Sequence, residues 1–353
     1  MRTPPIVLDT MHAAFLARAM YVVTRLGIPD LLAGGPMSCA DLAGKLRVQP
    51  VPLHQVLRSV ATTGLLRTEP GAETGPRQRY ALTGSGRTLL AGHPSGTAEM
   101  VLMMQGELFS KALRALPERV ESGRTGPEIA EGLPFFEIMA RRPDEARLFN
   151  RMMIATHGDE PAAVAQAYDF SGAERIVDVG GGIGALLLEI LRRHPRPRGV
   201  LFDVADVSDH ARKHVAAAGM SRRCEVRSGD FFESVPAGVD LYLLSRILHD
   251  WDDDTCVRIL RTCAQAMDAG SRLLVVEKVL PDNDEPHLGK RLDLVMAALT
   301  HGRERNAAEY GALLARAGLR VERHLATGSA SSIVVAMLDR RARPAGGTRG
   351  YPH

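Results

Sequence analysis

The feature that most limits what this chain can fold into is the stretch IVDVGGGIGALLLEILRRH, residues 176–194. An apolar strand runs into a cluster of glycines and then into a helix. Gly180, Gly181 and Gly182 permit backbone angles and a close approach that a Cβ would block. The helix behind them offers free N–H groups to a ligand. In doubly wound sheets, nucleotides bind in such a crevice, at the carboxyl end of a strand. A turn rich in glycine for packing alone is the competing reading, and the strand–turn–helix setting argues against it.

The rest of the chain fits around that unit. RIVDV, RGVLFDV, CEVRSGD, VDLYLLS, SRLLVVEKVL and SSIVVAML are short strand candidates alternating with helical stretches such as ALLLEILRRH and DTCVRILRTCAQAM. Alternation of this kind predicts an α/β fold with a Rossmann-like, doubly wound parallel sheet. Before it, the apolar spacing in TMHAAFLARAMYVVTRLGIPDLL predicts a helix ended by Gly27 and Pro29. Ser38 with Asp41 reads as a capping-box-like start. PLHQVLRSVATTG reads as a further helix, and LLRTE and QRYALT as two strands. Helix, turn, helix and hairpin form a winged-helix pattern, followed by helices over residues 95–155. The expected organisation is a mainly helical winged-helix domain with a helical linker over 1–150, a nucleoside-binding domain over 151–340, and a disordered, basic, Gly- and Pro-rich tail over 341–353.

Composition narrows the class. Of 353 residues, 45% are hydrophobic and 24% charged, and the formal net charge is +3, with the charges interspersed. That predicts a soluble globular enzyme with no dominant attraction to nucleic acid or membrane. On PLHQVLRSVATTG the basic side chains are only His54 and Arg58, few for a DNA-reading helix. Asp9, His12, Arg18 and Arg25 interrupt the N-terminal apolar residues, so neither a signal peptide nor a membrane span is expected. Cys39, Cys224, Cys256 and Cys263 form no C-x-x-C pair, which predicts reduced thiols and a cytoplasmic location.

The glycine turn alone does not name its ligand, because Gly180-x-Gly182-x-x-Ala185 also fits a dinucleotide fingerprint. Asp203, ending LFDV, suits the ribose of either ligand. Asp178 sits in the strand end just before the glycines, where a carboxylate can hold an ammonium group. A dinucleotide offers none there, whereas the methionine part of S-adenosylmethionine does. Asp230 and Phe231, after the third strand, suit an adenine as an N–H acceptor and a stacking face; the alternative has Asp230 capping a turn and Phe231 in the core.

RILHDWDD lies just past the fourth strand and faces the same crevice. Histidine is the side chain best matched to removing a proton near neutral pH. Glu277, ending LLVVE, and Glu304, in HGRERN, are candidates to orient His249; their competing reading is a solvated salt bridge, above all for Glu304 between Arg303 and Arg305. His210 and His214 stand four apart on a helix, but no HExxH or nearby cysteine supports a metal, so none is predicted.

With these residues in view, the chain resembles the small-molecule O-methyltransferases, a family that includes plant caffeic acid and isoflavone enzymes and bacterial antibiotic-tailoring enzymes. DVGGGIG, FDV, GDFF, ILHDW, DLVM and GRER carry the likeness, in that order, and it extends to about residue 338. The resemblance implies a homodimer whose winged-helix domain dimerises and a C-terminal domain that binds S-adenosylmethionine. It implies that Gly180, with Gly182, meets the methionine part, and that Asp203 holds the ribose, with Asp230 and Phe231 around the adenine. Arg246 and Met153 would contact the cofactor, His249 would be the general base flanked by Glu277 and Glu304, and Asp250 and Met296 would meet a hydroxylated aromatic substrate. His157 stands where the family often has a serine. Apart from the resemblance, Met103, Met104, Phe109, Phe135 and Phe136 suit either a flat, apolar substrate or core packing, with Met104 and Phe136 taken as candidate substrate contacts. Two alternatives accompany this reading: the same fold using the cofactor for hydroxylation or pericyclic chemistry, and a winged-helix DNA-binding regulator.

Overall fold

The computed structural model of the chain describes residues 4–71 and 73–339. The tail expected to be disordered, 341–353, lies outside the described residues. The chain divides into two compact units, residues 1–158 and 159–353. The division was expected near 150, but that position lies inside the helix Pro143–His157, and the chain leaves this helix only at Gly158.

The first unit opens with the helix Pro5–Arg25. Gly27, at φ +66°, ends it as expected. Pro29 does not end it but sits in the first turn of the next helix, Ile28–Leu32, where its missing N–H costs nothing. Ser38 caps Cys39–Leu46 by accepting the Asp41 N–H at 3.0 Å. The helix Pro50–Ala61 follows. The two expected strands form as Leu66–Thr68 and Arg79–Leu82, joined by a third, Met37–Ser38, in an antiparallel sheet. Val23, Ile28, Leu42, Leu57, Val60 and Tyr80 close this core. His54 is drawn into it, with Nδ1 3.0 Å from the Tyr80 hydroxyl.

The helix Pro5–Arg25 leaves Ile6, Val7, Leu8, Met11 and Phe15 exposed. Its interrupting charges do not outweigh its apolar residues. By length and composition alone it could cross a membrane, with mean hydropathy 1.4 over its most apolar eighteen residues. Further helices follow from Thr97 to His157. In these, Met103, Phe109 and Phe135 are buried core residues, with Phe109 and Phe135 edge to face at 6.2 Å. Met104 and Met153 are half-buried, and Phe136 is 40% exposed. His157 ends the last helix with Nδ1 2.5 Å from the Met153 carbonyl.

The second unit holds a seven-stranded sheet: β1 Arg175–Val179, β2 Arg198–Asp203, β3 Cys224–Ser228, β4 Leu241–Ser245, β5 Arg272–Glu277, β6 Leu319–Ala326 and β7 Ser332–Leu338. The order is β3-β2-β1-β4-β5-β7-β6. β1 to β5 are parallel, and β1, β2, β4 and β5 are buried along most of their length and mainly apolar, as expected for strands covered on both faces, with Asp178 the buried charged residue inside β1. The expectation of a wholly parallel sheet is corrected by β7, which runs antiparallel to both β5 and β6. β6, LRVERHLA, went unanticipated because it lies at the edge, bonded only to β7, and carries charged residues. Between the parallel strands β1 and β4 the order of the strands reverses, and that switch point opens the crevice at their carboxyl ends.

Candidate active site

The glycine turn links β1 to the helix Ala185–Arg193. Gly180 has φ +69°, and a Cβ there would come 2.6 Å from Ile247 Cδ1. A Cβ on Gly181 would come 2.5 Å from Asp178 Cγ, so the Asp178 carboxylate lies directly against the turn. Asp178 is 1% exposed and its Oδ1 has no hydrogen-bond partner. Burial, with the Asp203 charge adding, pushes its carboxyl up to about 7. A buried, unsatisfied carboxylate at a backbone cradle fits a cationic ligand group. Asp203 ends β2 and accepts the Gly182 N–H at 2.8 Å and the Val204 N–H at 2.7 Å. Burial raises its carboxyl as well.

Asp230 does cap its turn, since Oδ1 accepts the Phe232 N–H at 2.8 Å. Phe231 is not buried core. It is half-buried, its edge faces the space a Gly180 side chain would fill, and its ring lies 4.8 Å from Phe232 and 6.4 Å edge-on to Trp251. An aromatic surface and the glycine turn therefore share one side of the crevice.

After β4 the chain turns sharply at Arg246, which adopts φ +57°, rare for a residue with a side chain. The turn aims the N–H groups of Ile247 and Leu248 at one oxygen of Glu277, Oε1, at 3.0 and 2.9 Å. Its other oxygen, Oε2, stands 3.1 Å from His249 Nδ1, and Glu304 Oε1 stands 3.4 Å from the same nitrogen. These are ion-pair separations, and neither contact has the geometry of a hydrogen bond to Nδ1. On the far side of the ring, Nε2 lies 3.7 Å from Asp250 Oδ1. His249 is 6% exposed. Burial disfavours its charged form, but Glu277, Asp250 and Glu304 outweigh burial and hold the imidazole well above its usual range. Burial pushes Asp250 up to about 6 against the pull of His249.

Glu304 is not a solvated salt bridge. It is 3% exposed and turned toward His249, and its N–H is anchored by Asp293 Oδ1 at 2.7 Å. Arg303 pairs instead with Asp253 at 3.1 Å and with Glu309. Arg305 is buried and also takes Asp253. Asp253, Asp293 and Arg305 were missed from sequence. The only signal was their position, beside HDW, within DLVM and within GRER respectively.

His249, Glu277 and Glu304 each offer a ligand atom, and these lie within 4.8 Å of one another, a spacing that admits a metal ion as well as an imidazolium. His210 and His214 are exposed on the helix Ala205–Ala217 and join no such cluster among the described residues. Met296 is half-buried on Leu288–Leu299 in this same unit. Met104, Met153 and Phe136 belong to the first unit.

Fold and site define a nucleoside-binding α/β enzyme with a buried histidine–carboxylate centre. Residues 113–320 match the O-methyltransferase domain and residues 8–92 the O-methyltransferase dimerisation domain, and the chain belongs to the O-methyltransferase family. The phenazine O-methyltransferase PhzM of Lysobacter antibioticus is 39% identical over 94% of this chain and 95% of its own. The crystal structure of LaPhzM superposes with a TM-score of 0.87, at 38% identity, over 95% of this chain and all of that one. A relative that is not named for methyl transfer, the aclacinomycin 10-hydroxylase RdmB of Streptomyces purpurascens, is 33% identical over 88% of this chain and 83% of its own.

Proposed function

We propose that the protein is a homodimeric enzyme that methylates a phenolic or enolic hydroxyl of a small aromatic metabolite, with His249 as general base. The observation that carries this reading is the buried His249 beside Glu277 and Glu304, at the end of the strand next to the glycine turn.

The chain's residues fit S-adenosylmethionine. Asp178, with its unsatisfied oxygen, would take the ammonium; Asp203 the ribose; Asp230 and Phe231 the adenine; Gly180 and Gly182 give the backbone room, with Arg246 as a further contact. When bound, that cofactor supplies an electrophilic methyl group whose departure leaves a neutral sulfide, so no acid is required on the leaving side. The acceptor oxygen must lose its proton. His249 takes it, and Glu277 and Glu304 stabilise the imidazolium that results. The raised basicity brings the imidazole closer to a phenol, whose pKa is about 10, so the proton transfer is less uphill. Asp250, beside Nε2, would orient the acceptor, with Met296 of the same unit supplying apolar surface.

The phenazine enzyme's substrate class, a flat aromatic, supports an acceptor of that kind. The exposed apolar residues of Pro5–Arg25 fall mostly within the dimerisation match and suit a second copy of the chain better than a lipid bilayer. Four free, buried cysteines suit a cytoplasmic enzyme, and the engagement of His54 by Tyr80 leaves the helix Pro50–Ala61, which a DNA-binding regulator would use for reading, poor in basic side chains. Calorimetric titration with S-adenosylmethionine and with NAD tests the cofactor: binding of the first alone is expected, and binding of NAD alone overturns the reading. The hydroxylase relative keeps one other chemistry in view, and the mass of the product distinguishes it.

A further inference from the structure

We infer that Arg305 is a positioning residue for His249, acting on the backbone that carries the base. The inference rests on the reading of His249 as the general base. His249 sits in a single 3-10 turn, Leu248–Asp250. Its own hydrogen bonds are long, Asp250 N–H to the Ile247 carbonyl at 3.2 Å and Trp251 N–H to the Leu248 carbonyl at 3.3 Å. Such a short 3-10 turn is weak by itself. Yet the imidazole must keep its distance from two carboxylates and from the acceptor, and misplacement by about 1 Å can cost roughly 10²-fold in rate.

Arg305 supplies what the turn lacks. Its side chain is fully buried. Nη1 donates to the Leu248 carbonyl at 2.9 Å, and Nη2 donates to the Trp251 carbonyl at 2.8 Å. One planar guanidinium thus spans the residues on either side of His249 and Asp250. Nε and Nη2 both donate to Asp253 Oδ1, at 3.0 and 2.7 Å, which fixes the plane of the fork at the start of the next helix. The segment around Arg305 is equally close: a Cβ on Gly302 would fall 1.9 Å from the His249 carbonyl oxygen. Glu304, between them, reaches His249 Nδ1. Residues 302–305 therefore deliver a carboxylate to the ring and immobilise the backbone beneath it. Lysine cannot reproduce this, because its ammonium is a point charge without the fork. A buried ion pair is weak evidence for stability, and fixing a geometry is its better-attested use.

The test compares Arg305→Lys, Asp253→Asn, His249→Ala and the double variant His249→Ala/Arg305→Lys, each checked for folding by circular dichroism. Arg305→Lys is expected to lower kcat by roughly 10²-fold, with S-adenosylmethionine affinity and acceptor KM unchanged and the acidic limb of the pH–rate profile displaced. Asp253→Asn is expected to act in the same direction and more weakly. The double variant is expected to be no slower than His249→Ala. If the single losses multiply in the double variant, Arg305 does not act through His249 and the inference falls. Wild-type kcat and pH profile in folded Arg305→Lys also overturn it. If Arg305→Lys does not fold, Asp253→Asn decides alone, since its carboxylate is 42% exposed; wild-type kcat and pH profile there overturn the inference. Full activity in His249→Ala sinks the base assignment itself and is read separately from the Arg305 result.

Discussion

Glu277 divides its two oxygens between backbone and imidazole: Oε1 accepts the N–H groups of Ile247 and Leu248, and Oε2 lies 3.1 Å from His249 Nδ1. One carboxylate therefore sets both the path of the chain into the site and the proton affinity of the imidazole.

A pH dependence follows. A general base works when neutral, and Glu277, Asp250 and Glu304 hold His249 charged to higher pH than an ordinary histidine. Turnover should rise with pH through that raised value and fall as pH is lowered. In Glu277→Gln the amide oxygen still accepts the two backbone N–H groups but the charge is gone, so the acidic limb should move to lower pH and the maximal rate should drop. A pH–rate profile measured at saturating cofactor checks this; an unmoved limb contradicts it.

Asp178 should make cofactor binding pH-dependent. Its carboxyl is pushed up to about 7 in the free protein, and only the ionised form attracts an ammonium. Affinity for S-adenosylmethionine should increase as pH rises through 7. Asp178→Asn should flatten this dependence and weaken binding by about 10-fold or more, the scale of one hydrogen bond to a charged group. Calorimetry at several pH values is the check, and a pH-independent wild-type affinity would count against the assignment.

Gly181→Ala places a methyl group 2.5 Å from both Asp178 Cγ and Leu201 Cδ1. Forced repacking of this kind costs about 1–3 kcal/mol. Thermal unfolding should show a lower Tm, and S-adenosylmethionine binding should fall with it. A variant with unchanged Tm and affinity would show that the turn tolerates a side chain.

The cluster of His249, Glu277 and Glu304 has metal-compatible spacing, but one Glu277 oxygen is committed to two backbone donors, and the proposed reaction needs only a base. Activity should be unchanged by prolonged treatment with a chelator. Loss on chelation and recovery on adding back a divalent cation would assign the cluster to a metal.

Much of this was legible because it is local. The glycine turn, the strand ends at Asp178, Asp203 and Glu277, and the HDW turn each sit where periodicity and turn chemistry put them, and the crevice follows from strand order. Less legible was whatever depends on distant packing. β6 is a charged edge strand and lacks the apolar run that announces a buried one. The division between units falls beyond 150 because the helix Pro143–His157 runs through that position. For Glu304 the sequence left two readings, an orienter of His249 or a solvated salt bridge in an Arg-rich run, and for Arg305 it gave no sign of burial. Only the fold shows one reaching His249 and the other buried against Leu248 and Trp251. For Met103, Phe109 and Phe135 an apolar side chain signals burial without saying whether a ligand or the core covers it, and here the core does.

The most direct test of the central claim incubates wild-type enzyme and His249→Ala with S-adenosylmethionine and a panel of phenols, and follows product mass and rate. The account predicts that wild type adds one methyl in place of one hydrogen on an oxygen. It predicts that His249→Ala still binds the cofactor but turns over roughly 10²–10⁴-fold more slowly, the usual contribution of a general base. A product that has gained an oxygen atom instead, or wild-type turnover in His249→Ala, would contradict it.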